Sequence, residues 1–189
     1  SNSLTSLDVS ANTALTNLRC LYNQLSTLDV SSNTALGYLT CQGNQFTSLN
    51  LSTNTALVQL FCGHNQLTQL DLSNNPILNR LYCYSNQLTT LDVSSNTALT
   101  DLKCANNQLT SLDVSAQTVL SQLGCDNNQL TYLNMKNGVT DVYTYFDATG
   151  NSLTCIETLD PVYATENWTS ANGNIDAGVT FDVICGSEA

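Results

Sequence analysis

The sequence is short of positive charge. Its 189 residues include four Lys or Arg against 15 Asp or Glu, and the formal net charge is −11. Nucleic acids and anionic membrane surfaces would repel such a chain before any contact formed. Long apolar runs are also missing, since none approaches the roughly 18 residues that would indicate a membrane-spanning helix. We therefore expect neither nucleic-acid binding nor membrane insertion.

The features of enzymes are equally scarce. His64 is the single histidine, and no glycine-rich phosphate-binding loop occurs. A Ser-His-Asp arrangement would have to use His64 without an evident orienting partner. The carboxylates recur at repeated positions rather than at unique ones. We expect no enzymatic activity, no catalytic or metal-binding residues and no cofactor.

What the sequence does contain is a repeat marked by cysteine. One series has a constant spacing of 21 residues: Cys20, Cys41, Cys62, Cys83, Cys104 and Cys125. A fixed period of this length indicates a solenoid. Each repeat has two similar halves, L-x-x-L-D-V-S-x-N-T-A and L-x-x-L-x-C-x-x-N-Q. The apolar residues alternate in L-x-C, which predicts a short strand, whereas the Ser, Asn and Thr of the other half are typical of turns.

The motif resembles a known one. The stretch Leu36-x-x-Leu39-x-Cys41-x-x-Asn44-x-Phe46 is similar to the leucine-rich repeat signature, with Cys in the third apolar position. The doubled form is similar to a bacterial class with nested 21-residue repeats, and the match covers about Leu4 to Ile156. The resemblance implies a β-rich solenoid: a right-handed arc of short parallel strands, an extended or turn-rich convex side and little or no α-helix. In this family the repeated Asn hydrogen-bonds the backbone of the turn.

The repeat suggests two parts. Residues 1–140 would form the solenoid, with about six and a half repeats. Residues 141–189 would contain a degenerate last repeat, Tyr143-x-x-Phe146-x-Ala148-x-x-Asn151-x-Leu153, followed by a C-terminal cap. At the other end the chain starts on a half-repeat without a cap. An open solenoid end exposes apolar core and unpaired strand, so we expect preceding residues, an N-terminal neighbouring domain or self-association to cover it.

The cysteines fall into two groups. In stacked repeats, the six cysteines of the series would have Cα atoms about 4.8 Å apart and parallel side chains. Disulfides need converging Cβ atoms about 3.8 Å apart, and a line of thiolates cannot surround a tetrahedral metal ion. We expect six buried free thiols.

Two further cysteines bracket the tail. Similar disulfide-closed tails follow leucine-rich repeats in secreted bacterial surface proteins, and on this resemblance we predict a bond between Cys155 and Cys185. Closing a loop of about 30 residues would contribute on the order of 3–4 kcal/mol. A disulfide implies an oxidising compartment, so we expect a secreted or cell-surface protein.

Outward residues vary in only one half of the repeat. The L-D-V half keeps nearly the same triplet throughout, whereas the L-x-C half changes at every repeat and collects aromatic and basic residues. These residue types dominate the energetics of interfaces, and the resemblance implies that the strand face is the ligand surface. We expect ligand contacts from Arg19, Tyr38, Phe61, Arg80, Tyr82, Tyr84, Asp101, Lys103 and Tyr145.

The expected function is extracellular recognition or adhesion, with a protein or a carbohydrate as the ligand. The alternative is a structural or surface-array protein without a specific small ligand, of which an ice-binding solenoid with threonine columns is a remote variant. A column of Asp8, Asp29, Asp71, Asp92 and Asp113 raises the question of Ca²⁺. A calcium site needs six or more converging oxygens, which one Asp per repeat does not supply. We therefore expect these carboxylates to bond the local backbone instead.

Overall fold

The computed structural model, which describes residues 2–186, is a β-solenoid in which each turn takes one repeat. Seven short parallel strands form one sheet along one side of the coil, which we call the strand flank: β1 (Asn17–Arg19), β2 (Tyr38–Thr40), β3 (Gln59–Phe61), β4 (Arg80–Tyr82), β5 (Asp101–Lys103), β7 (Gln122–Gly124) and β9 (Tyr145–Asp147). Each strand is centred on the leucine or phenylalanine that precedes the Cys position by two residues. The predicted strands and their parallel stacking are confirmed.

The register follows the repeat. Leu18 lies opposite Leu39, and every later pair up to β7 is shifted by one repeat. The last pair sets Leu123 opposite Phe146, so this turn contains two extra residues. A 3-10 turn at Thr140–Val142 lies within the longer interval. Phe146 and Ala148 are buried, so the degenerate repeat completes the same coil.

The opposite flank is built from the L-D-V halves and becomes a sheet only near the C-terminus. Its four parallel strands are β6 (Ser111–Asp113), β8 (Tyr132–Met135), β10 (Cys155–Thr158) and β11 (Thr180–Asp182), in the order β11-β10-β8-β6. In the earlier repeats this flank is extended with turns, as expected. The strands here go beyond that expectation because the C-terminal segment adds β10 and β11 to the edge of β8.

The core lies between the two flanks. Leucines from both half-repeats fill it together with the six cysteines of the series, all of which are free thiols and buried. Burial disfavours the thiolate: it raises the pKa of Cys62 and Cys104 to about 12 and that of Cys20 to about 11. The cysteines therefore act as small apolar residues.

An asparagine column closes the corner after each strand of the strand flank. In Asn86, Oδ1 accepts a hydrogen bond from the backbone N–H of Leu67 at 2.9 Å. Its Nδ2 donates to the carbonyl oxygens of Cys62 at 3.2 Å and Cys83 at 3.0 Å. Because one side chain bonds two successive turns, the column satisfies backbone groups that would otherwise be buried without partners.

A second amide column, which is not predicted from the sequence, lies at the corner of the opposite flank. Its members are Asn33, Asn54, Asn75, Asn96 and Gln117. The Nδ2 of Asn75 donates to the carbonyl oxygens of Leu51 at 3.4 Å and Asn54 at 2.9 Å. The Oδ1 of Asn75, like the side-chain oxygen of every other member, is buried without a hydrogen-bond partner.

The segment from Cys155 to Cys185, which we call the cap, covers the C-terminal end of the core. The predicted Cys155–Cys185 disulfide is confirmed, with the Cα atoms 5.8 Å apart. Between the two cysteines lies α1 (Pro161–Asn167), which is capped at its N-terminus by Asp160, whose side chain accepts from the N–H of Tyr163. Trp168 packs in an aromatic cluster with residues such as Phe146. Within residues 2–186, no helix is long and apolar enough to cross a membrane.

Candidate functional site

The predicted ligand residues lie on the outward side of the strand flank, which we call the strand face. On each strand the central apolar residue points into the core, and the flanking residues point outward. Eight of the nine predicted residues are at least partly exposed there. The exposed ones are Arg19, Tyr38, Arg80 and Tyr145, and the half-buried ones are Phe61, Tyr82, Tyr84 and Lys103.

Three of these side chains form a continuous stack along consecutive strands. The rings of Phe61 on β3 and Tyr82 on β4 are stacked, with centroids 4.5 Å apart and planes 19° apart. Lys103 on β5 places its Nζ 4.7 Å from the centroid of Tyr82 and 5.8 Å from that of Tyr145. Since stacked rings and cation–π contacts are favourable, we treat Phe61, Tyr82 and Lys103 as one unit, the aromatic–lysine stack.

Asp101 is where the structure corrects the sequence-based site. Its position on β5 predicts an outward carboxylate in contact with ligand, but only 5% of the residue is exposed. The hydroxyl of Tyr82 donates a hydrogen bond to Oδ2 of Asp101, so the tyrosine side chain reaches across to the next strand. Burial, followed by the hydrogen bond to Asp101 and the charge of that carboxylate, raises the pKa of Tyr82 to about 12.

Two glycines let tyrosine rings approach the sheet closely. A Cβ added at Gly63 would lie 3.0–3.1 Å from Cε2, Cζ and Cε1 of Tyr84, so the face of the ring covers the glycine. At Gly124 the nearest atom, Cε1 of Tyr145, would be 3.2 Å away. These glycines are not among the residues predicted from the sequence. For Gly63 a signal was available, because it lies one repeat of 21 residues before Tyr84. Gly124 offered none, because the two extra residues of the last turn place it opposite Asp147.

The basic side chains of the strand face carry unpaired charge. Within residues 2–186 the structure contains one ion pair, between Lys136 and Glu157 at 2.5 Å. Arg19, Arg80 and Lys103 therefore make none there, although the chain as a whole is strongly acidic. Positive charge that the protein itself does not neutralise is available to a partner.

The strand face continues onto the cap. A depression of about 440 Å³ lies where β9 meets the cap, and its lining includes Tyr145, Asp147, Asn167 and Asn174. Grooves also occur on the opposite flank, for example between Asp92 and Ser115, but short residues of the same kind line them in other repeats. Within residues 2–186, no three His, Cys, Asp or Glu side chains are placed to hold a metal ion.

The fold and the repeat are shared with solved bacterial structures. The functional domain of InlJ from Listeria monocytogenes, described as including a cysteine ladder, is 39% identical with a TM-score of 0.77, over 84% of this chain and 37% of that chain. An internalin, inlF, of the same species is 28% identical with a TM-score of 0.69, over 79% of this chain and 47% of that one. A leucine-rich repeat protein of Leptospira interrogans is 25% identical with a TM-score of 0.74, over 82% and 43%.

The protein is thus similar to less than half the length of each of these chains. No protein-family model matches the sequence, and no curated protein matches it at a significant level.

Proposed function

We propose that this chain, a leucine-rich repeat protein with 21-residue repeats and a disulfide-closed C-terminal end, is an extracellular recognition module that binds a protein or a glycan through its strand face. The observation that carries the proposal is the aromatic–lysine stack with the unpaired Arg80 beside it. Aromatic and arginine side chains supply most of the energy in binding interfaces. Here they lie together on one exposed sheet, where packing of the core does not require them.

The contrast between the flanks supports the same assignment. The opposite flank presents nearly the same short residues in most repeats, for example Asp71 and Ser73, then Asp92 and Ser94. The strand face differs at every repeat although each repeat meets the same packing problem. The similarity to internalins also favours a recognition role over catalysis, and we propose that the chain is not an enzyme.

The disulfide supports an extracellular location. Disulfides persist in oxidising environments and are rare in the reducing cytosol. The bond between Cys155 and Cys185 links β10 to the end of the cap. We therefore place the protein outside the cell, either secreted or at the cell surface.

A binding survey with a paired variant tests the proposal. Wild-type protein would be applied to a glycan array and to an array of immobilised extracellular proteins. The double variant Arg80→Ala/Tyr82→Ala should lose at least about tenfold in signal on any spot bound by the wild type, because hot-spot residues contribute 2 kcal/mol or more.

The control is Ser73→Ala/Asp92→Ala on the opposite flank, which should bind as the wild type does. Binding that survives the Arg80/Tyr82 substitution would show that the strand face is the wrong surface. No binding by the wild type to either array would favour the alternative, a structural or surface-array protein.

A further inference from the structure

Asp101 is an unusual residue for the place it occupies. The same outward position holds Arg80 on the preceding strand and Gln122 on the following one, and neither of these is buried. Moving a carboxylate out of water is costly unless its oxygens are bonded. Yet Asp101 makes no ion pair within residues 2–186, and its Oδ1 is buried without a hydrogen-bond partner. The fold alone does not account for a buried acid here.

The buried carboxylate of Asp101 serves its surroundings as a hydrogen-bond acceptor for Tyr82. The ring of Tyr82 stacks on the ring of Phe61, and it also contacts the ammonium group of Lys103. Its hydroxyl is held by Oδ2 of Asp101. The ring is therefore fixed by contacts with β3 and β5 as well as by its own strand. A charge-assisted hydrogen bond of this kind is stronger than one between neutral groups.

We propose that Asp101 is a positioning residue of the strand face: it does not touch the ligand, but holds the Tyr82 ring so that the aromatic–lysine stack is formed before a partner arrives. The inference rests on the proposed function, since the stack is its central feature. A surface ordered in advance loses less conformational entropy on binding. Asp101 also uses the hydroxyl hydrogen of Tyr82, so the phenol oxygen can act toward a partner only as an acceptor.

The first arm of the test needs no ligand. In the free protein, the ring of Tyr82 should shift the NMR signals of the Lys103 ε-methylene protons upfield, because the Nζ lies 4.7 Å from the ring centroid. Asp101→Asn keeps an acceptor oxygen and should retain most of this shift. Asp101→Leu has a similar volume without an acceptor, so it should lose at least about half of the shift.

Gln122→Leu is the matched control, because it introduces the same side chain at the same position one strand further on. It should leave the Lys103 shift at its wild-type value. Far-UV circular dichroism and thermal melting would establish that each variant is folded. An unchanged Lys103 shift in folded Asp101→Leu overturns the inference.

The second arm repeats the glycan and protein arrays. On spots that the wild type binds, Asp101→Leu should weaken the signal about tenfold, the equivalent of one hydrogen bond, while Asp101→Asn stays within about threefold of the wild type. Signals that Asp101→Leu leaves unchanged also overturn the inference, even if Arg80→Ala/Tyr82→Ala abolishes them. If the wild type binds no spot on either array although its Lys103 ε-methylene signals show the expected upfield shift, the result instead contradicts the proposed function.

Discussion

The two flanks of the solenoid stack their repeats in the same way but differ in how completely their backbone and side-chain amides are hydrogen-bonded. On the strand flank a sheet runs through seven repeats, and each amide of its column both accepts and donates hydrogen bonds. On the opposite flank, strands form only near the cap, and the amides donate while their oxygens lack partners. The flank with the fully bonded frame is the one whose outward residues vary. A rigid frame permits this, because the stacking does not depend on what the outward residues are.

The largest expected effect concerns the disulfide, which links β10 of the opposite flank to the end of the cap. Removing the bond with Cys155→Ala/Cys185→Ala should cost about 3–4 kcal/mol of unfolding free energy, the chain-entropy value for a loop of about 30 residues. In a solenoid each repeat contacts only its neighbours, so the loss should stay near the C-terminus. Urea denaturation measures the first quantity, and amide hydrogen exchange the second.

The exchange pattern is the sharper of the two measurements. Amides of β8, β10 and β11 should exchange faster in the variant, and those of β2 to β4 should not change. Equal acceleration in both groups would contradict the view that the C-terminal sheet of the opposite flank is a local structure held by the cap.

The next effect in size compares the two amide columns directly. Asn86→Ala should cost about 3 kcal/mol, because it leaves the buried N–H of Leu67 unsatisfied, at 1–3 kcal/mol for such a group, and it also removes one of the two amide donors to the carbonyls of Cys62 and Cys83. Asn75→Ala should cost about 1–2 kcal/mol, since it removes two donated bonds and also an oxygen that had no partner. Urea midpoints of the two variants give both values.

Each variant is its partner's control, because both remove the same side-chain atoms from a buried corner in the middle of the coil. If Asn75→Ala were as unstable as Asn86→Ala, the two columns would contribute equally to the free energy of unfolding, and the comparison between the flanks would fail.

Much of this architecture could be predicted from residue spacing. The series of six cysteines gave the period, and the alternation around Leu39 and Cys41 gave the strands and their inward face. The helix α1 was within reach too, since Asp160 followed by Pro161 is a typical helix start. These features depend on local sequence or on exact repetition, which a single chain displays.

Other features depend on contacts between side chains of different repeats. The burial of Asp101 follows from the direction in which Tyr82 leans, and the position of Asp101 in its strand predicts exposure. The second sheet follows from where β10 and β11 dock, which no repeat encodes. The unequal bonding of Asn75 and Asn86 cannot be read from two asparagines that look alike in the sequence. The ligand contacts proposed for the strand face belong to the same class, because they require a partner.

The smallest expected effect is electrostatic: an aspartate pKa is lowered on the opposite flank and raised on the strand flank. On the opposite flank, the backbone N–H and the hydroxyl of Ser73 hydrogen-bond the Asp71 carboxylate and hold its pKa below the ordinary 3.8. On the strand flank, burial raises the pKa of Asp126. The hydrogen bond from Asn127 opposes this rise, and the nearby charge of Asp147 adds a smaller contribution to it. NMR titration of the side-chain carboxyl carbons should show Asp71 ionising below pH 3.8 and Asp126 above it.

The two shifts act on stability in opposite directions. A lowered folded-state pKa means that Asp71 stabilises the fold above its unfolded value and loses this contribution as the pH falls through the folded value. A raised pKa means that ionised Asp126 opposes folding, and that this opposition disappears as the pH falls below its folded value.

Asn50 occupies the equivalent position to Asp71 and still accepts from the N–H of Ser52 at 3.1 Å. Asp71→Asn should therefore keep the turn and remove only the pH dependence, whereas Asp126→Asn should raise stability at neutral pH. If both variants shifted the acid limb of the stability curve in the same direction, the carboxylates of the two flanks would not differ in the way that their surroundings imply.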